Sequence, residues 1–287
     1  MLYDTSSLMQ CQAKKYAGLN FARKIRLVAP DVSSKIWYCG TSIGLSYDGL
    51  IASANFCRNR FCPICQWRRS VKLFRQNFEC FELIKERYPG CRFVFLTLTV
   101  RNVPIDSLAS RLVDMSAAWN RFTQRRDFKA LGLLGWLRVL EVTRNAHTGT
   151  YHPHFHVVLV VPSGCWLPDH SWWLRCWQLA ARDESIMFVN LRVLDGSKSS
   201  IEEVSKYVVK DSDFTGSAWV LEFPKLRKAL SHVRCFCPAG CWRDARRALG
   251  FVDPDKDTLT DDVSTGGIIK DFVYLYNFKM FACIGFH

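Results

Sequence analysis

The segment that most restricts what this chain can become is Tyr151–Val161, YHPHFHVVLVV, where His152, His154 and His156 alternate before an apolar run. On an extended strand, residues two apart point to the same face. Adjacent imidazoles there stand roughly 6–7 Å apart at the backbone, within reach of one ion. Phe155, Val157 and Leu159 take the opposite face and can be buried. Pro153 has no N–H to give a ladder, which suits the start of a strand. His154 and His156 are therefore the candidate ligands, with His152 outside them.

A third ligand comes from the stretch before. GWLRVLEVT (Gly135 to Thr143), the turn RNAHTGT and the histidine strand read as a hairpin. With the turn centred on His147-Thr148, Glu141 pairs directly with His154. A register shift of two changes the partner but keeps Glu141 on the histidine face. Imidazole with carboxylate suits manganese, and magnesium more weakly.

The surrounding elements alternate. RFVFLTLTV (Arg92 to Val100) is a strand, and Leu108, Leu112, Met115, Trp119 and Phe122 mark an amphipathic helix. After the hairpin come a Trp-rich helix with Trp173, Trp177 and Ala180 on one stripe, then the strand MFVNLRVL (Met187 to Leu194). A helix from about Ile201 to Lys210 would line up Glu203, Tyr207 and Lys210 on one face. The expected class is α+β, with a ferredoxin-like (RRM-like) βαββαβ antiparallel sheet that sets FLTLT beside HPHFH.

Of thirteen cysteines, seven fall in two clusters. MLYDTSSLMQCQAKK lacks a charged start followed by an apolar core, so no signal peptide and no disulfide framework are expected. Cys39, Cys57, Cys62 and Cys65 can supply a tetrahedral zinc site. Cys235, Cys237 and Cys241 with His232 offer a weaker pattern for a second ion. The scattered cysteines read as small buried apolar residues. After Cys65 an amphipathic helix opens with Arg68, Arg69, Lys72 and Arg75, a candidate phosphate-contacting surface. Pro224 is expected to interrupt any helix near LEFPKLRKAL. Asp253 to Asp262 reads as an acidic linker or loop, and the aromatic tail as a docking segment.

Charge narrows the partner class to polyanions, nucleic acid first and a membrane surface second. The formal net charge is +13, which favours polyanions through counterion release. No apolar run approaches the roughly 20 residues of a membrane span. A tyrosine, an ion held by two histidines and a carboxylate, and a basic protein together point to phosphoryl transfer on DNA. Tyr207 would attack phosphorus, leaving a 5′-phosphotyrosine and a 3′-hydroxyl. A free phenol pKa of about 10 makes it a poor nucleophile at neutral pH, and Lys210 could favour the phenolate. Glu203 could activate water for a second cleavage.

Through FCRNRFCPICQWRRS, FLTLTV, LEVTRNAHTGTYHPHFHVVL and EEVSKYVVKDSD, the chain resembles the plasmid rolling-circle replication initiators of the HUH endonuclease superfamily, the Rep_1 type. The resemblance implies His154 and His156 as ion ligands, Tyr207 as nickase nucleophile, and Glu203 as the residue that ends the cycle by hydrolysis. It implies DNA, replicative helicase and polymerase as partners, and the cytoplasm of a bacterial or archaeal host. Glu141 as third ligand rests on the hairpin geometry. The expected domains are a Cys-rich region at 1–90, an HUH endonuclease core at 91–213, and a helical C-terminal region at 214–287. Relaxases place their tyrosine before the histidines, which would require Tyr3 or Tyr16. Single-tyrosine transposases lack the cysteine-rich front. A non-enzymatic zinc-containing DNA-binding regulator is the rival from another class.

Overall fold

A computed structural model describes residues 6–46, 50–194, 205, 217–254, 256–257, 259–260, 272–276 and 280–285. The chain divides into two compact units, Leu73–Val252 and Met1–Lys72 with Asp253–His287. These do not coincide with boundaries at 90 and 213. The Leu73–Val252 unit starts inside one long helix, and the last third of the chain is shared between the two.

In Leu73–Val252 the histidine strand is β5 (Tyr151–Val161), buried along its length except at His152. Its neighbours are β3 (Arg92–Thr99) and β4 (Gly135–Arg144), both antiparallel to it. With β6 (Val189–Val193) and β7 (Phe236–Gly240) the strand order is β6-β3-β5-β4-β7. Helix α4 (Ile105–Gln124) follows β3, the short α5 (Arg126–Ala130) precedes β4, and α6 (His170–Ala181) follows β5.

One face of the sheet belongs to α4 and α6. Phe155 meets Trp119 and Trp177 at 6.2 and 6.4 Å between ring centroids. The apolar stripe read from the sequence is the buried face of α4. The other face carries the histidines. At the Phe93 end of that face, Phe81 lies 4.0 Å from Phe93. Phe81 belongs to α3 (Pro63–Arg87).

The C-terminal region is not only helical. Helix α7 (Trp219–Leu230) contains Pro224, contrary to the expected break. Trp219, Phe223, Leu226 and Leu230 bury one stripe of α7. At about 1.5–3 kcal/mol per large apolar side chain, that stripe outweighs the roughly 3 kcal/mol cost of an interior proline. Strand β7 then joins the sheet beside β4, and α8 (Cys241–Ala248) follows.

The β4–β7 contact depends on two glycines. Gly135 and Gly240 are paired across the strands. Gly240 has φ +54°, and a Cβ there would stand 2.3 Å from the Leu134 carbonyl oxygen. Gly240→Ala should therefore lower stability by about 1–3 kcal/mol through strain alone. Chemical denaturation would read this as a lower midpoint, and an unchanged midpoint would show that β7 pairing is dispensable.

In the other unit, α1 (Ser6–Ile25) and α2 (Pro30–Tyr38) accompany a sheet of order β2-β1-β8-β9. Its strands are β1 (Ser42–Leu45), β2 (Ile51–Ala54), β8 (Phe272–Tyr276) and β9 (Phe281–Gly285). The aromatic tail thus docks as two strands, with β8 on β1. The segment after Asp253 is no solvated acidic linker, since Pro254, Asp257 and Leu259 are buried. No helix among the described residues is long and apolar enough to cross a membrane.

Candidate active site

Register brings the ion ligands together. Glu141 is paired with His154 across β4–β5, the alignment expected for a turn centred on His147-Thr148. On the other side of β5, Thr97 faces His156 and Thr99 faces His154. His154 Nε2 lies 3.1 Å from His156 Nε2 and 3.2 Å from Glu141 Oε2, and His156 Nε2 lies 2.8 Å from the same oxygen. All three side chains are buried.

Hydrogen bonding fixes what these atoms offer. His154 Nδ1 lies 3.2 Å from the His152 carbonyl oxygen. A carbonyl only accepts, so Nδ1 carries the hydrogen and Nε2 of the neutral ring presents a lone pair. That lone pair faces a carboxylate oxygen and a second imidazole nitrogen, and acceptors packed so closely call for a cation among them. Nitrogen ligands bound at about 2.1 Å lie about 3.0–3.4 Å apart at octahedral to tetrahedral angles, so the spacing fits one ion. Thr97 Oγ1 lies 3.3 Å from His156 Nδ1 and orients that ring from behind. Phe95 stacks on His156 at 5.3 Å, and the Arg192 guanidinium lies 4.9 Å from the Phe95 centroid. Burial, then the neighbouring His154, lowers the His152 pKa, which keeps that ring neutral beside the ligands.

Tyr207, Glu203 and Lys210 lie outside the described residues. Ser205, two positions before Tyr207, is helical and buried, and its Oγ accepts a hydrogen bond from Asn77 Nδ2 of α3 at 3.1 Å.

The first cysteine cluster converges. Sγ of Cys39 and Cys57 stand 3.5 and 3.8 Å from Sγ of Cys65. All four sulfurs, including that of Cys62, lie within 4.8 Å of one another. Thiolates at about 2.3 Å around a tetrahedral zinc lie about 3.8 Å apart, so this donor set fits zinc. The Cys57 amide donates to Cys39 Sγ at 3.3 Å. Hydrogen bonds from Cys39, Cys62 and Cys65 hold the Cys57 thiol far below its usual range.

The second cluster forms no such group among the described residues. Cys235 Sγ contacts the Val233 carbonyl, and Cys237 Sγ accepts from the Arg138 guanidinium at 2.9 Å. Burial pushes the Cys241 thiol up to about 12. Strand β7 and the start of α8 therefore use these sulfurs in packing.

The basic start of α3 also departs from expectation. Arg68 and Arg69 are only 3 % and 2 % exposed. Their Nε atoms donate to the carbonyls of Leu259 and Pro254, and Lys72 pairs with Asp257 at 2.7 Å. The segment after Asp253 takes up these charges, so Arg68, Arg69 and Lys72 are not a phosphate-contacting surface. Arg75 differs, with a side chain 52 % exposed and paired to Glu79.

A profile of the Rep_1 family, described as "Replication protein", matches residues 49–278. The chain belongs to the Rep_1 family of replication proteins. A "Protein rep" of Bacillus amyloliquefaciens is 34 % identical over 252 residues, covering 77 % of this chain and 74 % of its own. A "Protein rep" of Streptococcus pneumoniae is 37 % identical over 168 residues, covering 55 % of this chain and 52 % of its own. One from Lentilactobacillus hilgardii is 26 % identical but spans 93 % of this chain and 91 % of its own. No solved structure matches. The Rep_1 match takes in Glu141, His154 and His156 and three of the four clustered cysteines; Cys39 precedes it.

Proposed function

We propose that this Rep_1 protein is a plasmid replication initiator of the HUH endonuclease class, which nicks one DNA strand at the origin and joins itself to the 5′ end. The observation that carries this reading is the convergence of two imidazole nitrogens and a carboxylate oxygen on one point of a central sheet face. The element order β3-α4-β4-β5-α6-β6 supports a ferredoxin-like core.

A manganese or magnesium ion at His154, His156 and Glu141 would polarise a non-bridging oxygen of the scissile phosphate. The rest is the work of side chains. The Tyr207 oxygen forms a bond to phosphorus as the bond from phosphorus to the 3′ oxygen breaks. The phenolic proton leaves the nucleophile, and a proton is delivered to the departing 3′ oxygen. The products are a 5′-phosphotyrosine and a 3′-hydroxyl primer for polymerase, with helicase opening the duplex ahead. Lys210, three positions further along the helix expected over 201–210, steadies the phosphate and favours the phenolate. Glu203, one turn before, activates the water that ends the cycle. Ser205, buried against α3, supports placing the helix expected over 201–210 on the histidine face, because Phe81 of α3 packs on Phe93 of that face. Cys39, Cys57, Cys62 and Cys65 hold a structural zinc. The bacterial relatives fit action in a bacterial cytoplasm.

The test uses a supercoiled plasmid bearing the cognate origin. With manganese, the protein should convert it to nicked circles and remain on the 5′ end through denaturation, and chelation should stop the reaction. A shift in mobility without any nick would replace this reading with that of a DNA-binding regulator.

A further inference from the structure

Lys15 of α1 is 1 % exposed. Burying an ammonium costs several kcal/mol unless charge and hydrogen bonds offset it. The hydrogen bonds are present. Nζ donates to the carbonyl oxygens of Trp37 at 2.6 Å and Cys39 at 2.7 Å, at the C-terminal end of α2. Its position 5.6 Å from the Tyr276 ring centroid adds a modest attraction. A helix C-terminus amounts to only about half a negative charge. No carboxylate among the described residues pairs with Lys15. Burial lowers the Lys15 pKa, and the charges set against that shift are those of the Cys39, Cys62, Cys11 and Cys57 sulfurs.

A zinc ion bound by four thiolates carries a net charge of about −2, from four negative ligands against one doubly positive ion. One hydrogen bond joins the ammonium to the backbone of a sulfur ligand, so the two charges are neighbours. With the thiols protonated and no metal, the same ammonium is buried against neutral atoms. We infer that Lys15 is the counter-charge of the Cys39, Cys57, Cys62 and Cys65 zinc centre, so that seating of α1 and loading of the metal form one equilibrium. This rests on the zinc reading given above.

The experiment separates the two. Elemental analysis of the purified wild-type protein is expected to find about one zinc per chain; finding none would end the zinc reading itself, and this inference with it. With zinc present, Lys15→Met keeps the length of the side chain and removes its charge. Competition against a chromogenic chelator should then show zinc held roughly 10–100-fold more weakly, the range for lost outer-shell partners. Thermal unfolding adds a sign. The variant should lose stability when loaded, but match or exceed wild type when stripped, because it no longer buries an uncompensated ammonium. Equal loss in both states, or unchanged zinc affinity, would overturn the inference. If Lys15→Met does not fold, hydrogen exchange on the wild type decides. Chelation should deprotect the amides of α1 together with those of 57–65, and an α1 that stays protected would refute the coupling.

Discussion

Tyr207→Phe is expected to abolish nicking of the origin plasmid, by at least about 10³-fold, while origin binding survives. The substitution removes one hydroxyl and keeps the ring. A hydroxyl hydrogen bond contributes only about 0.5–1.5 kcal/mol to stability, so the fold should stand. The loss in rate is of another order. Each 1.4 kcal/mol is tenfold, and without its nucleophile the reaction has no covalent route. Manganese binding should be unaffected, because the phenol is not among the ligands proposed for the ion. The variant should therefore still gain thermal stability from manganese while forming no covalent adduct with DNA. A variant that nicks at the wild-type rate would transfer the nucleophile's role to another residue, and the proposal for the 201–210 segment would go with it.

The parts of this molecule that could be read in advance are those fixed by short-range periodicity. Alternation in β5 and a six-residue turn between Arg144 and Tyr151 determine the Glu141–His154 pairing, because the strand period of two leaves the histidines one face to occupy. The stripe of α4 was legible for the same reason. What escaped depends on partners far along the chain. Arg68, Arg69 and Lys72 look like a solvated basic helix until a segment some 185 residues later covers them. Nothing local in that segment marks Asp257 as a buried ion-pair partner. Lys15 is an equivalent case, since a lysine's burial depends on the acceptors that α2 and the cysteines bring to it. Pro224 shows local preference overruled by packing. Only packing against elements such as α4 explains why Trp219, Phe223, Leu226 and Leu230 hold a helix across it. The paired glycines Gly135 and Gly240 belong with these, because β7 reaches β4 from about a hundred residues away.

The histidine face also holds a cation beside its aromatic support. Arg192 of β6 is exposed and projects over Phe95, which stacks on His156.

Glu141→Ala carries the second large effect and tests the residue that owes most to hairpin geometry. The carboxylate is buried, with Oε2 within 3.2 Å of both imidazole nitrogens. It supplies the only negative charge in the triad. Losing it leaves two neutral nitrogens to hold a divalent ion, and nicking at limiting manganese should fall by about 10²–10³-fold, since losing a group that binds the ion directly should cost at least the roughly 10–100-fold of losing a group that only orients a ligand. Excess metal should restore part of the rate, because the defect is one of affinity. That recovery separates Glu141 from Tyr207, whose replacement no amount of manganese can repair. Binding to the folded state stabilises by RT ln(1 + [L]/Kd), about 2.7 kcal/mol at one hundred times Kd. Wild type should therefore show a clear rise in melting temperature with manganese where Glu141→Ala shows little at the same concentration. Should Glu141→Ala bind manganese and nick as wild type does, the ion would have another third ligand, and the carboxylate would be left the lesser part of hydrogen bonding the two histidines.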